Sequence, residues 1–360
     1  MEVDVEKQLK LQVVKSLNDS RDYRVLKLDN GLTALLISDT KKKSKRSKQE
    51  TNQQVNEMDD VESSSDSDDD DEMDSDDCDS DSDDIDNIDE NNRNIHEDER
   101  KDDDVKLSQK KAMQRETKLA AGALCVGVGS FSDPEELPGL AHFLEHMVFM
   151  GNEKYPDENA FDAFIKKHGG STNAFTECER TVFKFDVRPR YFKESLERFS
   201  QFFVCPLMKK GSMEREIKAV DSEFRMSYQD DVSRKRQLFG SLTTEPGHPL
   251  GKFIWGNEES LSTNPDKLGI DVNDYLQLFW KKMYSSHQMT LAVISNETLD
   301  ILEEWITDIF TLIPRRNPLS ADFCDMKDKY GFVPAKFHKL YKVVPVKDIR
   351  QVEITWVLPP

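Results

Sequence analysis

Pro138-Gly-Leu-Ala-His142-Phe-Leu-Glu145-His146-Met-Val-Phe-Met-Gly151 is the stretch on which the reading of this 360-residue chain turns. Proline suits the first turn of a helix and glycine the residue just past its end. Between them apolar residues recur at helical spacing, which predicts one buried helix of about three turns. On that helix His142 and His146 lie four apart and stack on one face. Two imidazoles so placed can aim their nitrogens at a single divalent cation, with Glu145 on the same turn. Two core histidines at a chance spacing is the competing explanation.

His-x-x-Glu-His inverts the His-Glu-x-x-His order of a large class of zinc peptidases. A zinc ion that does hydrolysis takes three protein ligands and leaves a fourth position for water, so a third ligand is needed. The candidate region is Ser212 to Tyr228, which reads as a helix with Ser212 as N-cap and acids in its first turn. Glu216 and Glu223 are two helical turns apart and share a face with Ala219 and Val220. A carboxylate among small and apolar neighbours points inward and needs a partner such as a metal or a histidine. A solvated surface acid is the alternative for each.

Together these motifs make the chain resemble the insulinase or pitrilysin family of zinc peptidases. The likeness also rests on Gly169-Gly-Ser-Thr-Asn173-Ala-Phe-Thr176, Arg198-Phe-Ser-Gln-Phe-Phe203 and Leu340-Tyr-Lys-Val-Val-Pro-Val-Lys-Asp-Ile-Arg350. It runs from about Tyr23 to the last residue, apart from one insertion. The resemblance implies one Zn²⁺ per chain held by His142, His146 and Glu223, with Glu145 as general base and Glu216 beside the ligands. It implies that the strand bearing Asn173 and Ala174 pairs with the substrate backbone. Relatives cut short unfolded peptides inside a closed chamber built from four related domains in two halves. The insertion resembles that of the family's dibasic-selective member, which implies cleavage before Arg in dibasic pairs. On this comparison the chain holds the zinc half of the site, and a C-terminal half is expected to complete the chamber.

That insertion is an extreme of composition. Hydrophobic residues are 36% of the chain, low for a globular protein, but the shortfall is local. Residues 57 to 104 hold 26 Asp and Glu against Arg93, Arg100 and Lys101, a net of −23; the whole chain is −20, so the remainder is +3. Lys41 to Lys48 is basic, and the acidic run that follows cannot bury enough apolar surface to offset ordering entropy, so disorder is expected. Three roles compete for it. It is a solubilising spacer, an electrostatic lure for basic peptides or polyamines, or, through the basic stretch 41 to 48, a nuclear localisation signal. Serines 63, 64, 65, 67, 75, 80 and 82 lie among its acids as candidate phosphorylation sites. A non-catalytic module that binds basic partners through the insertion is the rival to the enzyme.

Elsewhere the pattern is mixed. Residues 23 to 38 read as a hairpin around Asn30-Gly31, a pair that supplies the positive φ angles of a two-residue turn. Strands are expected within 118–129, 171–187, 289–295, 340–346 and 351–357, and helices at 157–168, 190–204, 212–228, 272–284 and 299–313. The fold class is therefore α+β, a largely antiparallel sheet packed with helices. The domain reading is a hairpin in 1–40, the insertion in 41–115, the rest of the peptidase domain in 116–317, a linker in 318–338 and a truncated second domain in 339–360. Five scattered cysteines, with Cys125 and Cys205 read as buried thiols, favour a reducing compartment. A charged N-terminus without an apolar core points to the cytoplasm, with nuclear or cell-surface pools. No apolar run reaches the length of a membrane span, and no aromatic-interleaved basic patch points to nucleic acid.

Overall fold

The computed structural model describes residues 14–40, 118–316 and 331–356. The basic stretch, the acidic insertion and its serines, Cys78, Cys324 and most of the expected linker lie outside the described residues.

Six strands form one sheet: β1 (Asp22–Lys27), β2 (Thr33–Ser38), β3 (Ala120–Val126), β4 (Ser171–Thr176), β5 (Thr181–Val187) and β6 (Met289–Ser295), in the spatial order β1-β2-β6-β3-β5-β4. The β2–β6 pair is parallel and the other pairs are antiparallel. Alternation dictates which face is covered. In β5, Phe183, Phe185 and Val187 are buried while Lys184 is exposed; in β3, Ala120, Leu124 and Val126 are buried while Ala121, Ala123 and Cys125 are half-buried. Cys125 therefore sits on the open face, and Cys205 beyond the end of a helix is half-buried too, so neither is the buried thiol that its apolar neighbours predict. Gly122 leaves the space that the Phe185 ring fills, since a Cβ there would lie 2.7 Å from it.

The main helices are α1 (Leu140–Val148), α2 (Ala160–Lys167), α3 (Phe192–Val204), α4 (Lys210–Tyr228), α5 (Asp231–Thr243), α6 (Asn264–Leu268), α7 (Val272–Met283) and α8 (Leu299–Phe310). An aromatic cluster of Phe149, Phe161, Phe183, Phe185, Phe199 and Phe202 binds α1, α2 and α3 to the covered face. Helix α5 was not foreseen; it opens on Asp230, whose carboxylate accepts from the Ser233 N–H at 2.8 Å. Helix α4 starts earlier than expected, after Lys209. Ser212 is thus no cap: it is buried inside the first turn, and its hydroxyl donates to Glu158 at 2.5 Å.

The hairpin loop also differs from expectation. Leu28 and Leu32 pair through an N–H to carbonyl bond of 2.9 Å, leaving three residues in the loop. Gly31 alone takes a left-handed φ, 89°, so this is a three-residue loop with one glycine in place of a two-residue turn. Asn30 spends its side chain differently: its amide donates to the Phe310 carbonyl at 2.8 Å and the Ile313 carbonyl at 2.9 Å, and its oxygen accepts from the Leu32 N–H at 3.2 Å. It clips the hairpin to the end of α8. The expected strands at 340–346 and 351–357 are not formed among the described residues. Leu340, Val344, Val352 and Trp356 are exposed there, and strands need a neighbour to satisfy their backbone.

Asn30→Ala removes three buried hydrogen bonds and leaves carbonyls unpaired, so it should destabilise the chain by about 2–4 kcal/mol. Urea unfolding followed by circular dichroism, with the midpoint lowered at unchanged slope, checks this.

Candidate metal centre

Helix α1 is fixed at its N-terminus by a residue outside it. Asp133 is buried and its carboxylate accepts from the N–H groups of Gly139 at 2.8 Å and Ala141 at 2.7 Å. Burial pushes its pKa up to about 7, against the pull of those two N–H groups and of Lys252. Gly139 has φ 91° and lies so close to the chain opposite that a Cβ would sit 2.2 Å from the Gly256 Cα. That crossing brings the Trp255 carbonyl to the His142 ring.

His142 Nδ1 meets the Trp255 carbonyl oxygen at 2.6 Å. A carbonyl only accepts, so Nδ1 carries the proton and the Nε2 lone pair is left to face the cleft. His146 repeats the arrangement with a carboxylate, its Nδ1 lying 3.1 Å from Glu216 Oε2. Both Nε2 atoms turn to Glu223, whose Oε2 is 3.5 Å from that of His142 and 3.6 Å from that of His146. One donor atom from each of the three residues lies within 4.8 Å of the others. Donors bound tetrahedrally to zinc at about 2.05 Å stand about 3.4 Å apart, so an N,N,O set of this spacing fits the ion. Glu216 and Glu223, both from α4, thus reach the helix that carries the histidines, and each does so through a histidine ring.

Burial disfavours a proton on His146, but Glu216 and Glu223 outweigh it and push the pKa up to about 9. His142, followed by His146, holds Glu223 far below the usual carboxylate range. Glu145 is 7% exposed, and its burial raises its pKa while a hydrogen bond from Thr176 opposes the rise. That bond is short: Thr176 Oγ1 donates to Glu145 Oε2 at 2.6 Å. Thr176 ends β4, the edge strand that also carries Asn173 and Ala174. These three line a cleft of about 680 Å³ together with His142, His146, Glu145, Glu216 and Glu223.

Every site residue expected from the sequence therefore borders one cleft. Asp133, Thr176 and Trp255 were not foreseen. Thr176 could have been read from its alternation with Thr172 and Ala174 along β4, but Trp255 acts through its backbone and left no signal in its residue type.

The family model for Insulinase (Peptidase family M16) matches residues 110–244, and that for the Peptidase M16 inactive domain matches 272–360. Human nardilysin is 54% identical over 350 residues, which cover 97% of this chain. The chain belongs to the insulinase family, peptidase family M16. It spans 30% of the length of human nardilysin. Mouse insulin-degrading enzyme is 41% identical over 234 residues, 65% of this chain and 22% of that one. Among solved structures, pitrilysin superposes with a TM-score of 0.62 at 28% identity, covering 86% of this chain and 25% of its own. This M16 chain is thus a mixed sheet packed with helices, as the sequence predicts.

In chelator-treated protein the proton on His146 contributes stability that is fully present below about pH 6.5, its ordinary pKa, and is lost as pH rises through about 9. Zinc must displace that proton, so zinc affinity should climb by up to about tenfold per pH unit between 6.5 and 9. Competition against a chromophoric chelator measures it. A flat affinity over that range would show that His146 binds no proton there.

Proposed function

We propose that this chain forms the zinc-bearing part of a metalloendopeptidase for short unfolded peptides, cutting on the N-terminal side of Arg in dibasic pairs. The observation that carries the proposal is the convergence of His142, His146 and Glu223 donor atoms beside a buried Glu145, in a cleft bordered by an edge strand. The likeness to nardilysin supports the dibasic preference.

In this reading His142, His146 and Glu223 hold the ion. Zinc, when bound, supplies a Lewis acid that polarises the scissile carbonyl and lowers the pKa of water. Glu145 accepts the proton of the attacking water and returns it to the leaving amine. Its burial supports that role, because a raised pKa brings the carboxyl closer to working pH. Thr176 keeps the carboxylate in one rotamer. Glu216 and the Trp255 carbonyl hold the two imidazoles in the tautomer that presents Nε2. An extended peptide adds to the β4 edge beside Asn173 and Ala174, so its backbone is recognised with little regard to side chains.

Segments beyond those in this chain would complete the chamber, in keeping with the greater length of its relatives. We keep as proposals the peptidase domain ending near 317, a linker to about 338 and a second domain from 339; β6, inside the six-stranded sheet, and α8, packed on β1 and β2, support the first boundary. The unpaired Cys125, Cys178 and Cys205 support a cytoplasmic setting.

The full chain with zinc should cleave a short dibasic peptide before Arg. Glu145→Gln should lower the rate about 10²–10⁴-fold with zinc content unchanged. Mass spectrometry of the digest decides: products that persist in the variant at the same rate would exclude Glu145 as the base.

The charge of the insertion favours a second role, a lure for basic peptides or polyamines, since −23 within 57–104 sets up a strong local field. Deleting 57–104 should weaken spermine and basic-peptide binding at low salt at least tenfold and leave zinc affinity alone. Equal binding before and after deletion would refute the lure.

A further inference from the structure

Asp162 borders the same cleft as the metal-site residues, yet nothing in the hydrolytic chemistry uses it. It lies in the first turn of α2, where the helix dipole favours a carboxylate. Its oxygens are aimed by two unequal partners. Thr172 Oγ1 donates to Oδ1 at 2.7 Å, and Thr172 is a cleft residue on β4. Lys166 Nζ lies 2.7 Å from Oδ2, but it is a surface partner one turn along the helix with its side chain 69% exposed. Ion pairs of that kind are among the weakest in proteins, so Oδ2 is open to a stronger cation.

Strand β4 sets the scale. Thr176 touches Glu145 and Thr172 touches Asp162, and these threonines share a face of the strand. Four residues of strand span about 13 Å. Two residues of extended peptide lying along β4 advance about 7 Å from the bond facing Glu145. The long side chain of arginine or lysine supplies most of the remainder. A guanidinium arriving there offers two parallel N–H donors to one carboxylate, which a lysine ammonium such as that of Lys166 cannot match. The other charged groups on the cleft are the acids and histidines of the metal centre and one cation, Arg236.

We propose that Asp162 is the specificity residue of this cleft: its carboxylate, held by Thr172, selects a basic side chain within two residues of the cleaved bond. The inference rests on the peptidase reading for the position of the peptide along β4. It assigns the preference for a basic residue to a folded side chain, distinct from any pull of the acidic insertion.

Binding without turnover tests it. The full chain carrying Glu145→Gln is loaded with zinc and titrated, by fluorescence anisotropy, with two labelled peptides that differ only in an Arg-Arg pair replaced by Gln-Gln. The Arg-Arg peptide should bind at least tenfold more tightly. Adding Asp162→Asn, which keeps an oxygen for Thr172, should shrink that ratio to threefold or less. Asp162→Glu should restore part of it, and Asp308→Asn, an exposed acid on α8, should leave it intact. The proposal is overturned if the ratio survives Asp162→Asn, if Asp308→Asn lowers it equally, or if the parent shows no preference. Digestion of both peptides by the wild-type chain separates the two readings: equal cleavage of both would sink the role of Asp162 while the peptidase reading stood, and no cleavage of either, with the binding ratio intact, would sink the peptidase reading and reduce Asp162 to a binding residue for basic side chains.

Discussion

Gathering half-buried ionisable groups around one buried carboxylate, Glu145, is the constraint around which this molecule is arranged. His142, Glu145 and His146 occupy little more than one turn of α1, against the carboxylates of Glu216 and Glu223 from α4. An isolated buried charge costs several kcal/mol, so each must find a partner of opposite sign or a good hydrogen bond. The solution is a closed set of pairings, with His142 between the Trp255 carbonyl and Glu223, His146 between Glu216 and Glu223, and Glu145 against Thr176. Those partners come from different parts of the chain. The same pairings that make burial tolerable also fix ring orientation and proton position. Folding and readiness for a metal are therefore one problem with one answer.

Legibility in the sequence followed how local each signal was. The histidines of α1 and the acids of α4 could be placed because four- and seven-residue spacings fix the face of a helix. The alternating β5 was legible from the period of two that fixes the face of a strand. What failed depended on tertiary company. Ser212 looked like a cap, but α4 begins before it and the hydroxyl turned to Glu158. Asn30-Gly31 looked like a two-residue turn, but the carbonyls at the end of α8 claimed the Asn30 side chain. Asp133 caps α1 from outside the helix, and the Trp255 carbonyl is 113 residues from the ring that it orients. Residues 340–356 have strand composition without strand pairing, since propensity describes only what a half-buried pleated surface would accept.

Two glycines show how the site tolerates little variation without containing any reactive group. Gly139 and Gly256 cross within van der Waals contact, both with left-handed φ. A methyl group on Gly139 would push the 255–256 segment off α1 and carry the Trp255 carbonyl away from His142, while one on Gly256 would meet Leu261 at 2.9 Å and Val220 at 3.3 Å. The site thus depends on backbone approach as much as on side chains. A comparison limited to ligands and the base would miss that dependence.

The middle of the sheet has a consequence for synthesis on the ribosome. Strand β6, residues 289 to 295, lies between β2 and β3, whose residues emerge long before it. Until β6 leaves the exit tunnel, β2 and β3 each lack a lateral neighbour and expose unpaired backbone, the condition in which nascent chains stick to one another. The segment encoded between those two strands is the most highly charged in the protein, with 26 acids in 57–104. Like-charge repulsion between neighbouring nascent chains would protect them over that interval.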